Sequence, residues 1–247
     1  GLLLCGTIAL QAQTYVKPAM KVTETSFAVI TDKGTYQACE AELKAYQETL
    51  GQEGLPTFIV YNDWKKPEDV KKVIAKLYKK NNLEGVVFVG DVPVAMIRKA
   101  QHMTSAFKMD EKENPFIDSS VPSDRFYDDF DLKFNYIKQD SDIVDYHYVS
   151  LSPEGEQYIM PDIYSSRIRP IQVEGMDKYQ QIRDYLKKVV AEKQSNNVLD
   201  QLTMARGHGY NSEDLVAWSG EQLALREQFP QLFKAGNVVK FYDFETQ

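Results

Sequence analysis

The sequence predicts an α/β fold with a doubly wound, mostly parallel sheet and helices on both faces. Residues 86–89 are an uninterrupted apolar run that ends at Gly90 and Asp91, and a strand that is apolar on both sides is typical of a central strand covered on both faces. Strand and helix patterns also alternate along the chain, which favours parallel pairing through right-handed crossovers.

The elements of the first half follow in order. Residues 26–31, 57–61 and 86–89 predict strands because they are rich in β-branched and aromatic side chains. From residue 35 the apolar side chains recur at helical spacing, and Pro67 with two acidic residues after it indicates the first turn of a second helix.

Residues 96–148 read as an irregular acidic segment, and the pattern then repeats. The second half predicts strands over 162–168, 199–205 and 238–242, and helices over 179–192 and about residues 223–232. We therefore expect two subdomains: a first α/β subdomain over 25–150 that includes the acidic segment, and the first half of a second over 151–247.

The charge and the length of the apolar runs argue against nucleic-acid binding and against a membrane span. The 247 residues are 43% apolar and carry a net charge of −7 without a dense basic cluster. Nucleic-acid binding is disfavoured, because neutralising phosphates needs a concentrated basic face. No internal apolar run approaches the ~20 residues of a membrane span.

Residues 1–12 are different in kind. They form an apolar run that ends in small and polar residues, as in a secretory signal cut after Ala12. Acylation at Cys5 and a buried N-terminal strand are the alternatives. Export predicts a secreted, cell-surface or periplasmic protein, and we interpret the chain as part of a longer one. Cys39, the only cysteine after the leader, is expected to be a core residue of the first helix, because a packed thiol without a nearby base stays protonated.

The turn Gly90-Asp91-Val92-Pro93 follows the central strand, where open α/β sheets place their sites. Asp91 there could anchor a loop or line a substrate pocket. The alternative is a turn aspartate that accepts hydrogen bonds from its own backbone.

Asp124, Asp128 and Asp129 are dense enough to suggest a cation site, with calcium the candidate, because hard cations bind several oxygens. Their spacing does not fit an EF-hand loop. A solvated acidic loop is the alternative.

Four motifs occur in one order: Val-Phe-Val-Gly-Asp-Val-Pro at 87–93, Pro-Ser-Asp-Arg-Phe-Tyr-Asp at 122–128, Ile-Tyr-Ser-Ser-Arg-Ile at 163–168 and Val-Lys-Phe-Tyr-Asp at 239–243. Over residues 25–245 this series resembles the gingipain-like cysteine peptidases that bacteria of the Bacteroides type secrete. The resemblance implies a caspase-like fold and hydrolysis of peptide or protein substrates without a required cofactor. In such enzymes a histidine takes the thiol proton, the thiolate attacks the amide carbonyl, and backbone N–H groups stabilise the oxyanion.

The chain departs from the family pattern in two respects. The family's catalytic histidine follows the strand after the 239–243 position, and its nucleophilic cysteine comes one strand later, so both would lie beyond Gln247. Ser166 also stands where the family usually has glycine. The resemblance thus implies the front part of an exported cysteine endopeptidase, inactive by itself. A non-catalytic exported module that binds protein or glycan is the alternative.

His208 lies in a Gly-His-Gly loop but comes one strand too early for the family's general base. It is a residue of the active-site rim, the base of a rearranged site, or an ordinary loop histidine. On the same loop Glu213, Asp214 and Glu221 could place a carboxylate in a substrate pocket that favours a basic side chain. Acids at a helix N-terminus are the alternative for the first two.

Overall fold

The computed structural model describes residues 13–98, 120–171, 173–195, 201–206, 227–228 and 238–243. The chain divides into two compact units, Gly1–Gln194 and Ser195–Gln247.

The larger sheet of the first unit is mostly parallel, as predicted. Its five described strands are β1 (Thr14–Val16), β2 (Ser26–Asp32), β3 (Thr57–Asn62), β4 (Leu83–Val89) and β9 (Tyr164–Ile168). Their order is β1-β3-β2-β4-β9, and every pair is parallel except β1 with β3. The short β1 covers the edge of β3, and the Gln47 amide donates to Thr57 O (2.7 Å) and to Val16 O (3.3 Å) beside it.

Helices pack on both faces of this sheet, which confirms the predicted α/β class. They are α1 (Lys33–Gln52), α2 (Pro67–Asn81) and α4 (Lys178–Gln194). Successive residues of β4 point to opposite faces: Val87 packs with α1 and α4, whereas Val86 and Phe88 pack with α2. The run over 86–89 is uninterrupted because both of its sides are buried.

The prediction that residues 96–148 are irregular is wrong for much of the part of this segment that the structure describes. A second sheet has four described strands in the order β6-β5-β8-β7. Its strands are β5 (Val94–Arg98), β6 (Ser120–Pro122), β7 (Phe134–Gln139) and β8 (Tyr146–Leu151), and the one-turn helix α3 (Arg125–Asp128) precedes β7. The sequence pattern did not reveal β7 because it is an edge strand whose side chains are almost all exposed. Such a strand has no alternation of apolar and polar residues.

The first unit also extends further than expected. β9 pairs with β4 from Gly85↔Tyr164 to Val89↔Ile168, and α4 packs on the same sheet through Ile182 and Leu186. The division therefore falls after Gln194 rather than near residue 150. In the second unit β10 (Gln201–Arg206) and β11 (Val238–Asp243) pair in parallel.

Residues 1–12 lie outside the described residues, so the leader stays a prediction. No helix in the described ranges combines the length and the apolar character needed to cross a bilayer.

Gly90→Ala is expected to destabilise the protein more than Gly54→Ala. Both glycines have positive φ, +80° and +90°, so each substitution costs about 1–2 kcal/mol of backbone strain. Among the described residues, a Cβ on Gly54 meets nothing within 4 Å, whereas one on Gly90 collides with the Thr35 hydroxyl and lies 2.6 Å from Asp32 Oδ2. Overpacking adds about 1–3 kcal/mol at Gly90, measurable by urea unfolding. Equal losses would contradict this close approach.

Candidate functional site at the carboxyl edge of the parallel sheet

The carboxyl ends of β2, β4 and β9 are tied together by backbone and carboxylate hydrogen bonds. Gly90 N–H donates to Ile168 O (3.0 Å). Asp32 accepts twice: Oδ1 from Thr35 N–H at the start of α1, and Oδ2 from Asp91 N–H, both at 2.8 Å. The carboxylate of Asp32 therefore fixes the turn after β4 to the first turn of a neighbouring helix.

The Asp91 side chain lies at this edge, as predicted, and forms an ion pair with Lys178 in the first turn of α4. Burial alone would lower the pKa of Lys178, but the hydrogen bond and the charge of Asp91 outweigh it, and the pKa is raised. Asp91 thus anchors α4 and also lines a groove.

That groove has a volume of about 800 Å³ and opens between the β7–β8 turn and the β9–α4 loop. A second ion pair, Arg169 with Asp145 at 3.1 Å, crosses it, and the Arg169 guanidinium lies 5.4 Å from the centre of the Tyr146 ring. Burial raises the pKa of Asp145, the charge of Asp91 raises it further, and Arg169 opposes both. We call this concavity the lip groove.

Arg167 connects three of the motifs found in the sequence. Its guanidinium donates to both oxygens of Asp124 (2.8 and 3.3 Å), to Val92 O (2.8 Å) and to Pro93 O (3.3 Å). It also lies over the Phe88 ring at 4.7 Å. A planar fork of donors suits such bidentate pairing. Asp124 therefore holds Arg167, and Arg167 holds the turn after β4.

Asp128 is fully buried. Its Oδ2 accepts from the Arg125 guanidinium and from the Ser165 hydroxyl, while Oδ1 has no hydrogen-bond partner among the described residues. Burial raises its pKa to about 6, against the opposing effects of Ser165 and Arg125.

The three aspartates considered for calcium do not face one another as a cage. Asp124 pairs with Arg167, and Asp128 faces Arg125 and Ser165. Asp129 accepts from the backbone N–H groups of Met160 (2.9 Å) and Leu132 (3.3 Å). Within the described ranges, no group of three or more His, Cys, Asp or Glu side chains is arranged to hold a metal ion. Calcium binding by these residues stays a prediction that this geometry does not favour.

Cys39 is a core residue, as expected. It is fully buried, and its Sγ lies 3.6 Å from Tyr179 O. Burial raises the pKa of its thiol, against a smaller opposing effect of Arg183, so the thiol is poorly suited to act as a nucleophile.

The loop predicted to carry His208, Glu213, Asp214 and Glu221 lies outside the described residues, so its placement relative to the lip groove stays a prediction. His147 is buried in β8 with Nδ1 3.2 Å from the Tyr136 hydroxyl, and burial lowers its pKa.

Sequence reasoning missed Lys178, Arg169 and Lys71. The Lys71 ammonium donates to Asp129 O (2.8 Å) and Leu132 O (3.0 Å), and burial lowers its pKa to about 8. A lysine in an amphipathic helix looks like a solvated residue, so no local signal marked it. Lys178 and Arg169 meet acids that are distant in sequence, which a spacing rule does not reveal.

No protein-family model matches this sequence, and neither the curated proteins nor the solved structures include a significant match to it.

Replacing Arg167 by lysine is expected to lower the free energy of unfolding by about 2–4 kcal/mol, because an ammonium cannot reproduce the bidentate bond and leaves Asp124 poorly paired. The matched control is Arg183→Lys. Arg183 donates to Ala38 O (3.1 Å) and to Gln180 at a more exposed position, so a loss of about 1 kcal/mol or less is expected. Chemical unfolding measures the loss of stability in both variants, and similar losses would contradict the proposed bridging role of Arg167.

Asp128→Asn is expected to change how stability depends on pH. The pKa of Asp128 is about 6 in the folded protein against a reference of 3.8, so the folded state binds the proton more tightly. Its contribution to stability is present below pH 4 and is lost as the pH rises to about 6. The free energy of unfolding of the variant, minus that of the wild type, should therefore rise by up to about 3 kcal/mol between pH 4 and pH 7, at ~1.4 kcal/mol for each pKa unit.

Unfolding curves at several pH values measure this difference. The control is Asp131→Asn, whose side chain is exposed on the same segment and should leave the wild-type pH profile in place. A variant at position 128 that keeps that profile would show that another group causes it.

Proposed function

We propose that this chain is the front part of an exported, gingipain-like cysteine endopeptidase with a caspase-like fold. The nucleophile of this enzyme lies beyond Gln247. The observation that carries the proposal is the contact set of Arg167. This residue belongs to the motif at 163–168, and its guanidinium binds Asp124 of the motif at 122–128 and two carbonyls of the motif at 87–93. Three motifs that lie far apart in sequence and resemble one family are thus joined through a single side chain.

The parallel sheet supports the same proposal. A Cys-His peptidase needs an edge where loops converge, so that a thiolate, a histidine and oxyanion donors can be brought to one amide. The first unit supplies such an edge at the carboxyl ends of β2, β4 and β9, and the Asp91–Lys178 ion pair holds α4 against it. In this proposal the segment contributes the scaffold and part of the substrate-binding surface, and no cofactor is required.

The second candidate is a non-catalytic exported α/β module that binds protein or glycan. The burial of Cys39 favours it, because the one cysteine in the described part of the chain is inaccessible to a substrate. Under this reading the open groove at the sheet edge is a binding surface alone.

The two candidates are separated by an assay of peptide hydrolysis. The chain of 247 residues and a longer polypeptide, extended through the next two strands of the reading frame, are incubated with fluorogenic peptides, with and without a thiol reductant. We expect thiol-dependent turnover that iodoacetamide abolishes from the longer polypeptide only, because the shorter chain lacks the nucleophile.

Turnover by the shorter chain that depends on a thiol would contradict the placement of the nucleophile. A folded longer polypeptide without turnover, and without a cysteine at the end of a strand, would favour the binding module instead.

A further inference from the structure

The lip groove concentrates exposed apolar side chains. Of the thirteen large apolar and tyrosine side chains that are exposed in the described residues, five line this groove, with exposed fractions from 41% to 73%. They are Ile143, Val144, Ile171, Val173 and Met176. A patch of this kind with a polar rim is typical of an interaction site.

Both walls of the groove are held in place by hydrogen bonds. In the β7–β8 turn, the Asp140 carboxylate accepts from the N–H groups of Asp142 (2.8 Å) and Ile143 (2.9 Å). In the β9–α4 loop, Gln181 Nε2 donates to Ile171 O (3.1 Å), and Met176 N–H donates to Val173 O (3.1 Å). Because the walls are preorganised, a ligand pays little of the entropy of ordering them.

The charges of the groove select the sign of the ligand. The two cations among its described lining residues are already paired, Lys178 with Asp91 and Arg169 with Asp145. Two further acids, Asp142 and Glu174, line the groove and have no cationic partner among the described residues. The lining thus carries a net charge of about −2, which attracts a cationic ligand and repels phosphates, acidic peptides and anionic lipid surfaces.

We propose that the lip groove binds an extended peptide segment in which apolar side chains alternate with lysine or arginine. The apolar side chains lie against Val144, Ile171 and Met176, and the cationic groups reach Asp142 and Glu174. The volume of about 800 Å³ accommodates several side chains at once. This inference goes beyond the proposed peptidase function and does not depend on it, since binding here needs no nucleophile.

Fluorescence polarisation of labelled peptides tests the proposal on the full chain. The probe alternates leucine and lysine, and it is compared with an analogue in which glutamate replaces each lysine and another in which serine replaces each leucine. We expect saturable binding of the leucine–lysine peptide alone, weakened by added salt because part of the attraction is between charges. No binding of that peptide, or equal binding of the acidic analogue, would overturn the proposal.

Variants locate the site. Val144→Ser combined with Ile171→Ser removes apolar contacts and should weaken binding about tenfold, and Glu174→Lys should weaken it by a similar factor. The matched controls are Tyr158→Ser with Met160→Ser, which are comparably exposed but do not line the groove, and Glu156→Lys. All variants should keep the circular dichroism spectrum and melting temperature of the wild type, because the substituted side chains are exposed. If the controls weaken binding as much as the groove variants do, the peptide binds elsewhere and the assignment is wrong.

Discussion

The guanidinium of Arg167 is the interaction on which the arrangement of the first unit depends. It extends from β9, which is an edge strand among the described strands of the larger sheet. It binds the carbonyls of Val92 and Pro93, where the chain leaves β4 and enters the second sheet. Asp124, just before α3, supplies the neutralising charge. The two sheets and the short helix are therefore held at one point, and the Tyr127 hydroxyl reinforces it by donating to Pro93 O (2.6 Å). A half-buried cation with a paired carboxylate and two carbonyls has its donors well satisfied, so its burial costs little.

The central strands and flanking helices could be predicted because burial on both faces leaves a strong record in sequence. The run over 86–89 and the apolar spacing of α1 and α2 carry that record. The second sheet left a weaker one. Phe134 is the only residue of β7 that is not exposed, and β5 follows the Gly90 turn so closely that it reads as a continuation of the loop. Local pattern therefore identifies fully covered elements and overlooks exposed ones.

Of the candidate site, the position of Asp91 could be predicted and its partner could not. The rule that sites lie at the carboxyl ends of parallel strands placed Asp91 correctly, but Lys178 lies 87 positions away. The acidic segment shows a second limit of sequence patterns. Asp124, Asp128 and Asp129 are close in sequence, yet α3 turns their carboxylates toward different partners. One faces an arginine of β9, one enters the core, and one binds backbone amides. Density of acids in sequence predicts a common ligand only when the backbone directs the side chains to one point.

The pairing of β1 with β3 gives the amino-terminal segment a protective role. Unpaired strand edges are templates for association between molecules, and Thr14–Val16 occupies one such edge, with Gln47 beside it. Because β1 is only three residues long, proteolytic loss of this short strand would uncover the edge of β3 and expose the protein to self-association.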